Sequence, residues 1–191
     1  HINDALLNPV YRIGWPARLN AQIEALNNRV RQAITTALIQ GSGHSQTARV
    51  ITGLGEKSAK HALRIVRTEA QRARSAGRIA GFIESEKVAR EIGMKTARQW
   101  VATLDGVTRD QHEGIDGQLA DSENMFTFPD GTVTEGPGLS GVAGQDINCR
   151  CTTILIFEEV PQQVRQDNIE KTIIPYATFD QWQENRLNRA A

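Results

Sequence analysis

Apolar residues recur at helical spacing along the first part of the chain. Pro16 suits the first turn of a helix, where its missing N–H costs nothing. Gly41 and Gly43 mark the end of the pattern, because glycine commonly follows the last turn of a helix. The pattern predicts irregular structure over 1–15 and then one amphipathic helix. Its apolar positions, at steps of three or four, are Leu19, Ile23, Leu26, Val30, Ile34 and Leu38.

Two further helical segments are predicted in this half. A short segment over 45–52 is expected to end at two nearby glycines, Gly53 and Gly55. A third helix follows, with a potential break near Gly81, and Gly93 ends the helical half. The apolar arc of the third helix, which would face the body, holds Ala59, Leu63, Val66, Ala70 and Ala73.

The pattern changes near residue 97 to short runs that are typical of strands. The run ARQWVATLD at 97–105 predicts a strand closed by an Asp-Gly turn, and CRCTTILIF at 149–157 predicts the clearest strand. Between them, Thr108 has the spacing of an N-cap for a short helix over 108–114. We therefore expect an α+β fold, with a helical N-terminal half packed on a small β-containing C-terminal half.

The 191 residues carry no net charge, but the charge is divided unequally between the halves. Residues 1–104 contain 16 lysines and arginines against seven acidic residues, whereas residues 105–191 contain six against 15. This division suggests either two different partners or two halves that pair with each other. No apolar run approaches the ~20 residues that cross a bilayer, so no membrane partner is expected during assembly.

Basic residues cluster on one arc of the third helix. At 3.6 residues per turn this arc spans about 100° and holds Lys57, Lys60, Arg64, Arg67, Arg74 and Arg78. One interpretation is an ordinary solvated face. The other is a track for a phosphate backbone, with Lys57, Lys60, Arg64, Arg74 and Arg78 as the DNA-binding residues. No aromatic residue lies among these charges, so stacking on single-stranded bases is not indicated.

Two cysteines and a histidine form a potential metal-binding set. Zinc prefers thiolate and imidazole ligands, and in a strand Cys149 and Cys151 would point from the same face. His112 would be the third ligand of one Zn²⁺, and Asp105, Asp110 or Asp116 the fourth. The alternative is that one cysteine is a small core residue and that His112 hydrogen-bonds an aspartate. A disulfide between residues two apart would be strained, so the chain is interpreted as intracellular.

Four short motifs stand in a fixed order. They are Arg-Thr-Glu at 67–69, a strand with Trp that ends in Asp, TRDQHEGIDG at 108–117, and Asn-Cys-Arg-Cys at 148–151. In this order they resemble the phage Mu protein F-like family of minor head proteins, also called head-morphogenesis proteins, over roughly 34–157. The matching residues are Arg67, Thr68, Glu69, Trp100, Asp105, Thr108, Arg109, His112, Asp116, Gly117, Asn148, Cys149, Arg150 and Cys151.

The resemblance implies a protein present in few copies in the virion, inside the capsid near the portal, after assembly in the host cytoplasm. Its partners would be the portal protein, the capsid and double-stranded DNA bound without sequence preference, during packaging or ejection. Residues 1–55 would form an N-terminal helical segment that contacts the portal or capsid, and residues 56–158 the minor head domain. Residues 159–191 would be a C-terminal extension docked by Tyr176, Phe179 and Trp182.

Several of the matching residues are expected to act structurally. Arg67 and Glu69 are two apart on a helix and would reach separate partners in the β half, such as Asp105 or Arg109. A buried network of arginines and carboxylates would fix a small α+β body. The predicted structural network consists of Arg67, Thr68, Glu69, Trp100, Asp105, Arg109 and Asp116.

The alternative function is that of an enzyme of phage origin. A metal-dependent hydrolase could use His112, Asp110 and Asp116. A toxin-like effector is suggested by Glu84 and Glu86, which mimic the paired glutamates of ADP-ribosyltransferases. The chain has no Gly-rich phosphate loop, nucleophile elbow or HExxH motif, so no catalytic residue is expected.

Overall fold

The computed structural model describes residues 15–42, 44–157, 160 and 162–190, and it confirms the α+β class. Of the segment 1–15 that is predicted to be irregular, only Trp15 lies within the described residues. Gly43 also lies outside them. In chain order the elements are α1 (Trp15–Ile39), α2 (His44–Glu91), β1 (Thr96–Val101), α3 (Asp110–Glu113), β2 (Phe126–Thr127), β3 (Val133–Thr134), α4 (Ala143–Asp146), β4 (Thr152–Phe157), β5 (Val164–Asp167), β6 (Thr172–Pro175) and α5 (Phe179–Ala190). Among these residues, no helix is both long and apolar enough to cross a membrane.

Helices α1 and α2 form an antiparallel hairpin. Arg18 near the start of α1 forms an ion pair with Glu69, and Gln22 donates a hydrogen bond to Ser58 Oγ at 3.3 Å. Residues later in α1 therefore contact residues earlier in α2, as expected for antiparallel helices. The predicted apolar face of α1 is only partly covered: Leu19, Leu26 and Val30 are half-buried, whereas Ile23 and Ile34 are exposed.

Helix α2 is one uninterrupted helix of 48 residues, so the prediction of a separate short helix and of a break at Gly81 is wrong. A single glycine costs a helix only about 1 kcal/mol relative to alanine, and the surrounding turns offset that cost. A Cβ built at Gly53, Gly55 or Gly81 meets nothing within 4 Å. Gly93 follows the end of the helix at a φ of 76°, in the left-handed region that favours glycine, as the sequence predicts.

The buried face of α2 is polar, so the prediction of an alanine-rich buried arc is wrong. Ala59 and Leu63 are exposed, and Ala70 and Ala73 are only half-buried. Among the described side chains, the buried positions of α2 are mostly polar: Ser58, Thr68, Glu69, Gln71, Arg72, Ser75, Ile79 and Ala89. The side chains of Leu38 and Val66 lie outside the described ones.

Hydrogen bonds join this polar face to the backbone of the second half. Gln71 donates to the carbonyl of Cys151 at 2.6 Å, and Ser75 donates to the carbonyl of Pro137 at 2.6 Å. The hydroxyl of Thr68 accepts from the backbone N–H of Asn148 at 3.1 Å. Because a lost partner would leave a buried backbone group unsatisfied, these bonds specify how the loop over 136–151 lies on α2.

The hydrophobic core lies in the second half. Strand β1 pairs antiparallel with β4, which places the buried Trp100 opposite Thr153. The Trp100 ring packs edge-on against Phe126 and Phe128, each at 5.4 Å between ring centroids. The tail adds a β5–β6 hairpin that the sequence pattern did not reveal, followed by α5. Phe179 and Trp182 belong to the core, and Tyr176 is half-buried.

Candidate functional site

His112 is carried by the short helix α3 and is 2% exposed. The N-cap of α3 is Arg109, without a side-chain capping bond, so the prediction of Thr108 as N-cap is wrong. The Thr108 hydroxyl instead donates a hydrogen bond to the carbonyl of Thr103, earlier in the chain, at 2.6 Å. The His112 ring lies 4.9 Å from the ring of Phe128, between centroids, so the imidazole is held inside the aromatic core.

Cys149 and Cys151 lie just before β4, which begins at Thr152, so the prediction that both are in a strand is wrong. Asn148 has a φ of 55°, in the left-handed region, and this bend separates α4 from the cysteine segment. Both cysteines are buried, at 4% and 3% exposure, and both are free thiols. The thiols nevertheless converge on His112, because both point into the core.

The three side chains are spaced as metal ligands. His112 Nδ1 lies 3.4 Å from Cys151 Sγ and 3.6 Å from Cys149 Sγ, and the three ligand atoms all lie within 4.8 Å of one another. Tetrahedral bonds of about 2.0 Å to nitrogen and 2.3 Å to sulfur place ligand atoms roughly 3.5 Å apart. The group can therefore supply three of the four ligands of a tetrahedral metal site. Among the described residues no aspartate belongs to this group, so the prediction of an aspartate as fourth ligand is wrong.

Gln145, which the sequence did not single out, orients the imidazole. His112 Nε2 lies 3.0 Å from Gln145 Oε1, and the Gln145 amide donates to Asp130 Oδ2 at 2.8 Å. Because Gln145 Oε1 can only accept, it pairs with an N–H at Nε2, and Nδ1 is the ring nitrogen that faces the two sulfurs. Hydrogen bonds from Thr132, the backbone N–H first, lower the pKa of the Asp130 carboxyl. Metal-binding histidines commonly have such a partner on the second nitrogen.

The two thiols differ in acidity. The pKa of Cys149 is lowered from its ordinary value because the Cys151 thiol donates a hydrogen bond to it. The pKa of Cys151 is raised well above its ordinary value because Cys151 is the donor of that bond and because it is buried. Cys149 is therefore the thiol that ionises first, and a bound cation would favour the thiolate form of both.

The residues of the predicted structural network do not form one network. Glu69 forms ion pairs with Arg18 of α1 and with Arg72 of its own helix, so the prediction that it reaches Asp105 or Arg109 is wrong. Arg67 is exposed on the surface of α2. These contacts tie α1 to α2 rather than to the β half.

The second-half members of that set act locally. Asp105 binds Arg150 with 2.5 Å between Oδ2 and Nη1. Arg109 donates to the carbonyl of Gln145 at 3.3 Å and to the carbonyl of Ile147. The guanidinium therefore anchors the loop that carries Gln145 and leads to the cysteines.

Asp116 is the centre of a buried network whose other charged member, Arg165, was missed by the sequence reasoning. Arg165 Nη1 lies 2.7 Å from Asp116 Oδ2, and the side chains are 3% and 1% exposed. Asp116 also accepts the backbone N–H groups of Ala102 at 2.6 Å and Phe179 at 2.7 Å. Arg165 donates to the carbonyls of Ala102 and Ala177, both at 2.6 Å. This network joins the residue that follows β1 to β5 and to the start of α5.

The predicted DNA-binding residues are all exposed on α2: Lys57, Lys60, Arg64, Arg74 and Arg78. Arg74 and Arg67 also line a groove of about 880 Å³ between α2, α3 and the cysteine segment. The other walls of this groove include Arg109, Arg150 and the His112, Cys149 and Cys151 group. We call it the arginine groove.

Four ion pairs of the described residues each join two residues of the same half. The basic half holds Arg18–Glu69 and Arg98–Glu86, and the acidic half holds Arg150–Asp105 and Arg165–Asp116. These pairs do not use the exposed basic side chains of α2. Glu86, one of the two glutamates that mimic an ADP-ribosyltransferase pair, is bound by Arg98 at 2.6 Å and has a structural contact.

The site lies within a region shared with known proteins. Residues 28–154 match the family described as Phage Mu protein F like protein. The chain therefore belongs to this family of phage minor head proteins, and the resemblance inferred from the motifs is confirmed. The matched range includes His112, Cys149 and Cys151.

Two relatives of the chain have names that indicate different functions. The minor head protein GP7 of Bacillus phage SPP1 is 30% identical over 188 residues, which are 97% of this chain and 59% of the relative. The NAD(+)–arginine ADP-ribosyltransferase EFV of Enterococcus faecalis is 36% identical over 172 residues, which are 90% of this chain and 34% of the relative. The chain thus spans about three fifths of the first relative and a third of the second. No solved structure matches the chain.

Proposed function

We propose that this chain acts as a minor head protein that binds the portal inside the capsid and assists head assembly and DNA packaging or ejection. The observation that carries the proposal is the alignment of 97% of the chain with a protein named as a minor head protein. The enzyme alternative has less support, because the chain spans only 34% of the relative named as a transferase.

The helical hairpin offers a surface for the portal or capsid. Large apolar side chains on it are exposed: Ile23 by 56%, Ile34 by 41%, Ile39 by 80% and Val50 by 50%. Exposed apolar side chains favour protein contacts, because binding removes them from water. We assign the portal contact to this hairpin.

We propose that His112, Cys149 and Cys151 hold one Zn²⁺ with a structural role. The ion would supply coordination bonds that join α3 to the segment before β4, two elements that are 37 residues apart in sequence. Hydrogen bonds of Gln145 and Arg109 already join α3 to α4 and to Ile147, just before the cysteines.

We further propose that the exposed basic face of α2 contacts double-stranded DNA without sequence preference. The support is the exposure of Lys57, Lys60, Arg64, Arg74 and Arg78 on one helix. Such binding would rest on phosphate neutralisation and would weaken steeply as salt rises.

Coexpression with the portal protein of the same phage tests the proposed function. We expect a complex that survives gel filtration. The variant with Ile23→Glu and Ile34→Glu should lose it, because charge on the hairpin would have to be desolvated at the interface. Val133→Glu, at a residue of similar exposure in the second half, is the control and should retain the complex. A chain that elutes alone at micromolar concentration contradicts the proposal.

A further inference from the structure

The arginine groove has an unusual balance of charge. Four of the 12 residues that line it are arginines and none is acidic. Arg67 and Arg74 form no ion pair with any residue that the structure describes. They are seven residues apart on α2, so about two helical turns bring them to the same face, roughly 10 Å apart.

The other two arginines are fixed in place but keep free donors. A guanidinium has five N–H donors. Arg150 uses part of its set on Asp105, and Arg109 uses part on two backbone carbonyls. The groove therefore combines two uncommitted guanidinium groups on α2 with two pre-oriented ones on the opposite side.

These features favour a phosphate group over a carboxylate as ligand. A carboxylate has two oxygens and is matched by the fork of one guanidinium, whereas phosphate has more oxygens and can take forks from several. A volume of about 880 Å³ admits a phosphate with the groups attached to it. Thr108 and Asn148, which also line the groove, add neutral polar groups for the remaining oxygens.

We propose that the arginine groove is a binding site for a phosphate group, supplied either by the DNA backbone or by a free phosphate compound. The first source rests on the proposed DNA contact. In that case the strongest binding of a DNA phosphate would be in the groove rather than along the exposed face of α2. Arg67, Arg109 and Arg150 then join Arg74 as ligand-binding residues, although none of those three was among the predicted DNA-binding residues.

The test compares two variants that each remove two positive charges from α2. The groove variant is Arg67→Gln with Arg74→Gln, and the control is Lys60→Gln with Arg78→Gln, which lie outside the groove. All four residues are exposed, so both proteins should fold and melt like the wild type. Binding is measured by calorimetry with pyrophosphate and by fluorescence anisotropy with a short duplex DNA, over a range of salt concentrations.

We expect the groove variant to lose roughly ten- to a hundredfold in affinity for pyrophosphate, and the control to lose far less. If duplex binding falls with it and pyrophosphate competes with the duplex, the DNA backbone is the source. If pyrophosphate binds and the duplex does not, the site takes a free phosphate compound and the proposed DNA contact fails alone.

Three results overturn the inference. Equal loss of duplex binding in both variants, without competition by pyrophosphate, leaves only the DNA contact of the exposed face. If a glutamate-rich peptide displaces the duplex and pyrophosphate does not, the groove binds an acidic protein segment instead of a phosphate group. If neither pyrophosphate nor the duplex binds, both the phosphate site and the DNA contact are disproved. None of these outcomes bears on the proposed portal complex, which is tested separately.

Discussion

The purified protein is expected to contain about one zinc ion per chain, and Cys151→Ser to contain almost none. Because a metal that binds only the folded state adds its binding free energy to stability, the variant should also unfold more easily. A loss of only ~3 kcal/mol lowers the melting temperature of a chain of this length by roughly 10 °C. Elemental analysis and thermal melts measure both effects.

A chelator separates metal loss from damage to the core. It should lower the melting temperature of the wild type but not that of Cys151→Ser or Cys149→Ser, which have already lost the ion. Gln145→Leu should keep all three ligands but bind zinc roughly 10- to 100-fold more weakly, because His112 loses its orienting partner. The zinc site would be disproved if the purified wild-type protein contained no metal and its melting temperature did not change with chelator. If Cys151→Ala then lowered the melting temperature much more than Cys149→Ala, Cys151 would be identified as a core residue.

Asp116→Ala is expected to lower the free energy of unfolding by about 3–5 kcal/mol, as is usual when one partner of a buried ion pair is removed. The variant leaves the Arg165 guanidinium buried without its carboxylate and two backbone N–H groups without their acceptor. This is a large share of the ~5–15 kcal/mol that holds a typical domain. Urea denaturation followed by tryptophan fluorescence measures the loss.

Two further variants make the Asp116 result interpretable. Asp110→Ala, at an exposed aspartate of α3, should change stability by no more than about 0.5 kcal/mol. The double variant Asp116→Leu with Arg165→Met should recover part of the loss, because it removes the stranded charge. Similar costs for Asp116→Ala and Asp110→Ala would mean that the buried network contributes little.

Local signals predicted a large part of the architecture. The apolar spacing after Pro16 predicted α1, the run at 97–105 overlaps β1, and the run at 149–157 contains β4. Gly53 and Gly55 were misleading, because a glycine stops a helix only where the rest of the chain favours a turn. The polar buried face of α2 could not be predicted from periodicity, since its partners are backbone groups about 60 to 80 residues away in sequence.

The site shows the same division between local and long-range information. His112, Cys149 and Cys151 were grouped correctly from ligand chemistry, because few other residues in the chain could bind a soft metal. Gln145 and Arg165 were missed, because neither stands in a recognised motif and each matters only through a distant partner. The arginine groove depends on α2, α3 and the cysteine segment meeting in space, which no single stretch of sequence specifies.

Mass spectrometry of purified virions and of their portal-bound fraction tests the central claim most directly. As a minor head protein at the portal, the chain should be present in virions at low copy number and enriched with the portal protein after the capsid is disrupted. Abundance comparable to the major capsid protein would contradict the assignment to the portal. Absence from virions, in cells that produce the protein, would contradict the proposed function altogether.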